Sequence, residues 1–138
     1  TKMLDIFTYL LAGVAGISLF VSAIMILTVL YISVVERTQE IGVIKAIGGR
    51  NKDIRRIFVS ESFLIGLFSG LLGVGIAALL SAIGNVAVER IFGTTILHMT
   101  PTYALLGILA SVIISVIAGV FPANKAAKLD PIEALRHD

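Results

Sequence analysis

The stretch VVERTQEIGVIKAIGGRNKDIRRIF, residues 34–58, decides the reading of this chain. It is charged and punctuated by glycine, while the sequence on both sides is apolar for dozens of residues. Upstream, residues 6–35 contain no formal charge, and downstream residues 62–88 contain none. A third uncharged run, 91–124, includes His98 and becomes strongly apolar after Pro101. A bilayer core about 30 Å thick needs about 20 helical residues to cross it. Each run is long enough, and a backbone immersed in lipid has little alternative to helix.

Composition agrees. Of the 138 residues, 57% are hydrophobic and only 14% charged, far below the charge content of soluble domains. The expected fold is an all-α integral membrane protein with three transmembrane helices, at about 6–35, 62–88 and 101–124. The first extends as a cytoplasmic stalk. A charged segment, 36–61, links the first two spans, and a tail at 125–138 carries a short C-terminal helix. Taken as one helix, residues 6–47 would reach about 63 Å, twice the bilayer core.

Local signals place the ends. Gly48 and Gly49 stop the first helix, since glycine tolerates the left-handed cap. Asn51 is the expected N-cap of the next helix, with Asp53 in its first turn facing the positive end of the dipole. Thr100 and Pro101 open the third span, and Pro122 is expected to close or kink it. Asp130, Pro131 and Glu133 read as cap, first helical residue and third, predicting a helix over about 131–136. Ile132 and Leu135 would give that helix one apolar edge, with Lys125 and Lys128 at the lipid headgroups.

Charge sets an orientation. Segment 36–61 holds six basic residues: Arg37, Lys45, Arg50, Lys52, Arg55 and Arg56. Lys125, Lys128 and Arg136 lie in the tail, whereas only Lys2 and Arg90 flank the other side. Basic residues accumulate on the cytoplasmic side. The charged segment and C-terminus are therefore expected in the cytoplasm, and the N-terminus and the 89–100 connection outside.

Several functions find no support. The spans contain no Asp, Glu, Lys or Arg, the residues that line ion and proton pathways. His98 stands before Pro101, where an interfacial side chain is the simpler reading than a ligand. The chain has no cysteine, which removes thiolate chemistry. AIGGR is not a nucleotide-binding loop, because it lacks the G-x-x-x-x-G-K-[ST] spacing. No nucleophile–base pair, paired carboxylates or metal spacing occurs, so no enzyme is expected. The net charge of +2 is too small to point to nucleic acid.

Helical geometry gives the charged segment a shape. Thr38, Gly42 and Ala46 fall at i, i+4 and i+8 as a flat strip, with Lys45 at its edge. Glu36, Arg37 and Glu40 share the other side with Ile41, Ile44 and Ile47. Such a surface suits docking into another protein. It suits equally a stalk packed on a neighbouring helix with its basic residues at anionic headgroups. In the second span, Ser62, Gly66 and Gly70 form one small-residue stripe, and Ser69, Gly73, Ala77 and Ser81 an adjacent one. Stripes of this kind let helix backbones approach closely in lipid, whether the partner is the same chain or another.

Two blocks carry a resemblance. ERTQEIGVIKAIGGRNKDI at 36–54 and GVFPANKAAKLDPIEALR at 119–136, with a glycine-rich span between, resemble the FtsX-like permease family of ABC transporters. The likeness is greatest to the macrolide-exporter type and more distant to lipoprotein-release permeases. Members of that family have four spans, with a large extracytoplasmic domain between the first two. This sequence is similar to the last three, so it is expected to be a C-terminal fragment, a truncated form or part of a split protein.

The resemblance implies mechanotransmission. A partner ATPase subunit or domain binds ATP and Mg2+, docks on the cytoplasmic face and drives change outside, with no cofactor held by this chain. It implies roles for Glu36, Arg37, Glu40, Ile41, Gly42, Lys45, Ala46 and Gly48 in facing or supporting the ATPase. Pro122, Asp130, Pro131, Glu133 and Leu135 would support them from the tail. Gly66, Gly70, Gly73 and Ala77 would pack helices. A homodimer or permease pair, and an extracytoplasmic partner reached through the missing ectodomain, are implied as well. The rival expectation is an ATPase-independent membrane scaffold that recruits a cytoplasmic partner.

Overall fold

A computed structural model describes residues 1–136 and contains five helices among them: α1 (Lys2–Glu36), α2 (Thr38–Ala46), α3 (Asn51–Phe92), α4 (Pro101–Ala127) and α5 (Pro131–Arg136). The last two residues of the predicted tail lie outside the described residues. Three helices are long and apolar enough to cross a membrane: α1, α3 and α4. At 1.5 Å per residue, α3 runs about 63 Å and α1 about 52 Å, so both outreach the hydrocarbon core.

The surface carries the same message. Tyr9 is 77% exposed, Phe20 68% and Leu72 67%, with dozens of large apolar side chains beside them. Contiguous apolar surface on this scale does not face water. The chain is a multi-pass membrane protein.

The helix expected over 6–47 is two helices, divided at Arg37. Its backbone stands at φ −96° and ψ 15°, in the bridge region outside the helical basin. The Thr38 hydroxyl donates to the carbonyls of Val34 at 3.0 Å and Val35 at 2.8 Å. Threonine back-bonding of this type bends helices. Pattern reasoning missed the break because neither glycine nor proline marks it.

Other boundaries sit close to expectation. Gly48 stops α2 with φ +104°, a conformation that L side chains rarely adopt. The N-cap of α3 is Arg50, with Asn51 as the first helical residue. The shift follows from Asp53, whose carboxylate accepts the Arg50 N–H at 3.1 Å and so fixes Arg50 three residues before it. Gly93 closes α3 in the left-handed region, its N–H donating to the Glu89 carbonyl. Pro122 does not end α4, which continues to Ala127 with the proline ring fully buried.

Helix α4 lies between α1 and α3, which touch each other only slightly. The α3–α4 contact is the most extensive, and small residues make it close. A Cβ added at Gly66 would meet the Val112 Cα at 2.8 Å, and one at Gly70 the Ile108 Cα at 3.1 Å. Ser62 and Ser115 are fully buried at the same seam, and the Ser111 hydroxyl donates to the Gly66 carbonyl at 2.8 Å. Lipid is as apolar as the side chains, so dispersion and these hydrogen bonds hold the seam rather than the hydrophobic effect.

The two stripes of α3 therefore part company. Ser62, Gly66 and Gly70 meet α4 of the same chain. Gly73 has open space around it, and with Ser69 and Ala77 it lines a groove whose other walls come from α1 (Leu19, Met25) and α4.

The helices converge at one end. Val34 of α1, Ile41 of α2, Ile54 and Phe58 of α3, and Ala123 and Ala126 of α4 form one buried cluster. Most of α1 away from this end, from its start to residue 22, is exposed along its full circumference. The basic residues of 37–56 and of the tail belong to the same converged end. At the opposite end, residues 94–100 form a coil that folds back on α3. There the Asn85 amide donates to the Leu97 carbonyl at 2.6 Å and accepts the Leu97 N–H at 2.8 Å. His98 is exposed within that coil.

Candidate functional site

The converged, basic end collects the residues that the sequence singles out. Helix α2 is its centre. The helix is nine residues long, too short to be stable by itself in water, so tertiary packing must hold it. Ile41 is 3% exposed and enters the cluster, while Ile44 packs against its edge. Burying a side chain of this size contributes about 1.5–3 kcal/mol where the alternative is water.

Gly42 faces inward as well. A Cβ there would meet the Ala134 Cβ at 2.8 Å and the Leu135 Cγ at 3.4 Å. The strip of Thr38, Gly42 and Ala46 is thus divided. Its middle is covered by the chain's own helix α5, Thr38 is half-buried, and only Ala46 is open. Spacing alone identified a close approach there but not which helix approaches.

Helix α5 is built as its sequence directs. The Asp130 carboxylate accepts the Ile132 N–H at 2.9 Å, and Pro131 occupies the first helical position. Its packed residue is Ala134, 1% exposed, rather than the edge of Ile132 and Leu135. Ile132 is 73% exposed, and at the contact with Gly42 it is the Ala134 methyl group that fits. Leu135 is half-covered against Gly42, and Glu133 is exposed.

Lys45 is half-buried, and its ammonium donates to the backbone carbonyls of Ala127 and Leu129, both at 2.5 Å. It joins α2 to the end of α4. Lys125 does not simply point away from the bundle: its Nζ lies 2.6 Å from the Tyr31 hydroxyl and 4.3 Å from the ring centre, linking α4 to α1. Arg37 and Glu61 form an ion pair at 3.7 Å between the bend and α3. It is largely solvated, so its contribution is small.

What remains outward on and beside α2 is a mixed face. Glu36, Arg37 and Glu40 are exposed, and so are Val43 at 50%, Ala46, Ile47 at 82% and Gly48. Val43 was not among the residues that sequence reasoning selected. Its signal is available only with hindsight: it lies one turn from Glu40 and one turn from Ile47, on the side of α2 opposite Ile41. An exposed valine and isoleucine beside acidic residues, at the mouth of a membrane bundle, have no partner chemistry of their own. The arrangement can bind a surface; it holds no catalytic constellation.

Comparison with known proteins fits this architecture. The family model for the FtsX-like permease C-terminal region matches residues 12–131. This chain belongs to the FtsX-like permease family. Among similar curated proteins, the ABC transporter permease YknZ of Bacillus subtilis is 41% identical over 145 residues, covering 99% of this chain and 33% of that protein. An ABC transporter permease of Methanocaldococcus jannaschii is 36% identical, covering 99% and 34%. The macrolide export ATP-binding/permease protein MacB of Psychrobacter cryohalolentis is 40% identical over 132 residues, covering 95% and 19%. The chain thus spans about a third or less of the length of these relatives. Both charged blocks that carry the resemblance start within the matched region, which spans the charged segment, all of α3 and α4 and most of α1.

Proposed function

We propose that this chain is the membrane-embedded permease portion of an ABC transporter, that α2 docks an ATPase subunit or domain, and that the ATPase stroke is delivered through the bundle to the opposite side of the membrane. ATP and Mg2+ belong to that ATPase. The observation that carries the proposal is the two-sided build of α2. One side is rooted in the buried cluster by Ile41 and Gly42, and the other presents Val43 and Ile47 to a partner. A helix held only for lipid contact needs no packed root and no acidic residues around its apolar tip.

The eight coupling residues divide under this reading. Glu36, Arg37, Glu40, Ala46 and Gly48 face the ATPase, joined by Val43 and Ile47. Ile41, Gly42 and Lys45 support them from behind. The tail residues Pro122, Asp130, Pro131 and Leu135 hold α5 and the end of α4 in place, with Glu133 at the solvent side.

The basic end is cytoplasmic, by the distribution of Lys and Arg, and the coil after Gly93 is extracytoplasmic in the cytoplasmic membrane. The open groove lined by Gly73 and Ala77, and the bare length of α1, leave room for a second permease copy. An extracytoplasmic partner would act through segments that the longer relatives possess. Export and lipoprotein or envelope processes are the substrate classes consistent with such a machine.

The test is co-purification of the ATPase with full-length protein bearing Val43→Asp and Ile47→Asp. The expected result is loss of the ATPase while membrane insertion is unchanged. Normal recovery and normal ATPase stimulation by the double variant would refute the docking face.

A further inference from the structure

Force applied to α2 has three ways into the membrane helices. Towards α1 it must pass Arg37, a single non-helical residue at a bend whose carbonyls are diverted to the Thr38 hydroxyl. Towards α3 it must pass residues 47–50, a turn containing Gly48 at φ +104°. Towards α4 the path leads through α5, the element that packs most against α2 and that follows α4 after three residues, and through the Lys45 ammonium. Gly42 lies on Ala134, Ile41 shares a cluster with Ala123 and Ala126, and Lys45 donates to Ala127 and Leu129.

We propose that Lys45 is a positioning residue that clamps α2 to the C-terminus of α4, so that α2, α5 and the last turn of α4 move as one body and α4 is the helix that carries the stroke. The proposal rests on the reading of α2 as the ATPase contact.

The chemistry favours lysine. The last carbonyls of a helix have no intrahelical donors, and the helix dipole places negative potential there. Ala127 is fully buried and Leu129 half-buried, so water has poor access to them. One ammonium with three rotatable donors on a flexible stem satisfies two carbonyls two residues apart and neutralises the dipole end. The Asn124 and Ala126 carbonyls are already taken, by the N–H groups of Lys128 and Leu129. The lysine thus supplies the donor that α4 lacks, and it comes from the coupling helix. A capping residue belonging to α4 itself would finish the helix equally well but would connect it to nothing.

These 138 residues contain no cysteine, so within them the only labelled thiols are those introduced. Labels at Val43→Cys on α2 and Lys128→Cys at the end of α4 are measured in full-length protein in bilayers, with and without the ATPase. The unsubstituted Lys45 form is expected to give one narrow distance distribution, unchanged when ATP is trapped. Lys45→Met, which keeps the stem and removes the charge, should broaden it about twofold as the end of α4 opens locally. Lys45→Arg, which keeps charge and donors, should restore a narrow distribution.

A second label pair at the opposite ends of α4 and α1, Thr102→Cys and Leu4→Cys, reports the stroke in ATPase-bound complexes. Its ATP-driven displacement should fall about fivefold in Lys45→Met, the lower range of coupling between sites. An unchanged α2–α4 distribution in Lys45→Met, or an undiminished stroke, overturns the clamp. So does an arginine form as broad as the methionine form. If Lys45→Met fails to insert, Lys45→Gln is measured by the same pairs with the same expected direction. A wild-type protein that never binds the ATPase would refute the docking reading alone. The α2–α4 distribution would still decide the clamp.

Discussion

Glycine positions show how far one residue can be read. Gly66 and Gly73 are seven residues apart on α3, so both stripes invite the same interpretation. Their surroundings differ: a Cβ at Gly66 meets the backbone of α4 at 2.8 Å, and one at Gly73 meets nothing within 4 Å. Gly66→Leu should therefore destabilise the fold by about 1–3 kcal/mol through overpacking. Gly73→Leu should change it little, and unfolding in detergent micelles compares the two. Equal losses would mean that the groove beside Gly73 is filled in the folded protein. Gly42→Val belongs to the same class. Its branched side chain has no room beside Ala134, so α5 should leave its seat and the tail become sensitive to protease. A tail as resistant as wild type would contradict the close approach. The sequence marked all three glycines as small but could not distinguish a contact from a gap, because that depends on where a second helix lies.

At the scale of the element, caps were legible and faces were not. Asp130 and Pro131 start α5 where their types require, and Asp130 accepts the Ile132 N–H. Asp130→Ala removes that cap at a cost of about 1 kcal/mol. Hydrogen exchange of the α5 amides should quicken several-fold while α3 is unaffected. No change would show that packing of Ala134 alone holds the helix. Which face of α5 is buried could not be read from its own residues, since Ile132 looks like an anchor and Ala134 does not. The controlling fact is the glycine opposite. Helix α2 shows the same limit: periodicity found the small strip and the isoleucines, yet only Gly42 of the strip turns inward, Ile41 is rooted and Ile47 is free. The break at Arg37 had no sequence marker either, because a threonine back-bond is one of several rotamer choices open to Thr38.

For the whole molecule, the spans and their number followed from uncharged length, and the helices α1, α3 and α4 contain all three predicted spans. The proposed sidedness rests on charge and is tested directly. In intact cells, an impermeant thiol reagent should label Thr94→Cys and leave Asn51→Cys unlabelled until the membrane is opened. The reverse pattern would invert the topology and move the α2 surface away from any cytoplasmic ATPase. The molecule is packed at its basic end and open at the other.

Composition and local chemistry by themselves determined that this chain is a helical membrane protein, where its helices start and stop to within a few residues, and that its charge is gathered at one end. Lipid forces that outcome: an uncharged run of sufficient length has only the helix available to it. Tertiary structure alone decided which residues of α2 are roots and which are free, and that Lys45 reaches the end of α4. Those facts depend on contacts between segments more than 80 positions apart, such as Lys45 with Ala127 and Leu129. No local propensity or periodicity encodes the meeting of such distant groups.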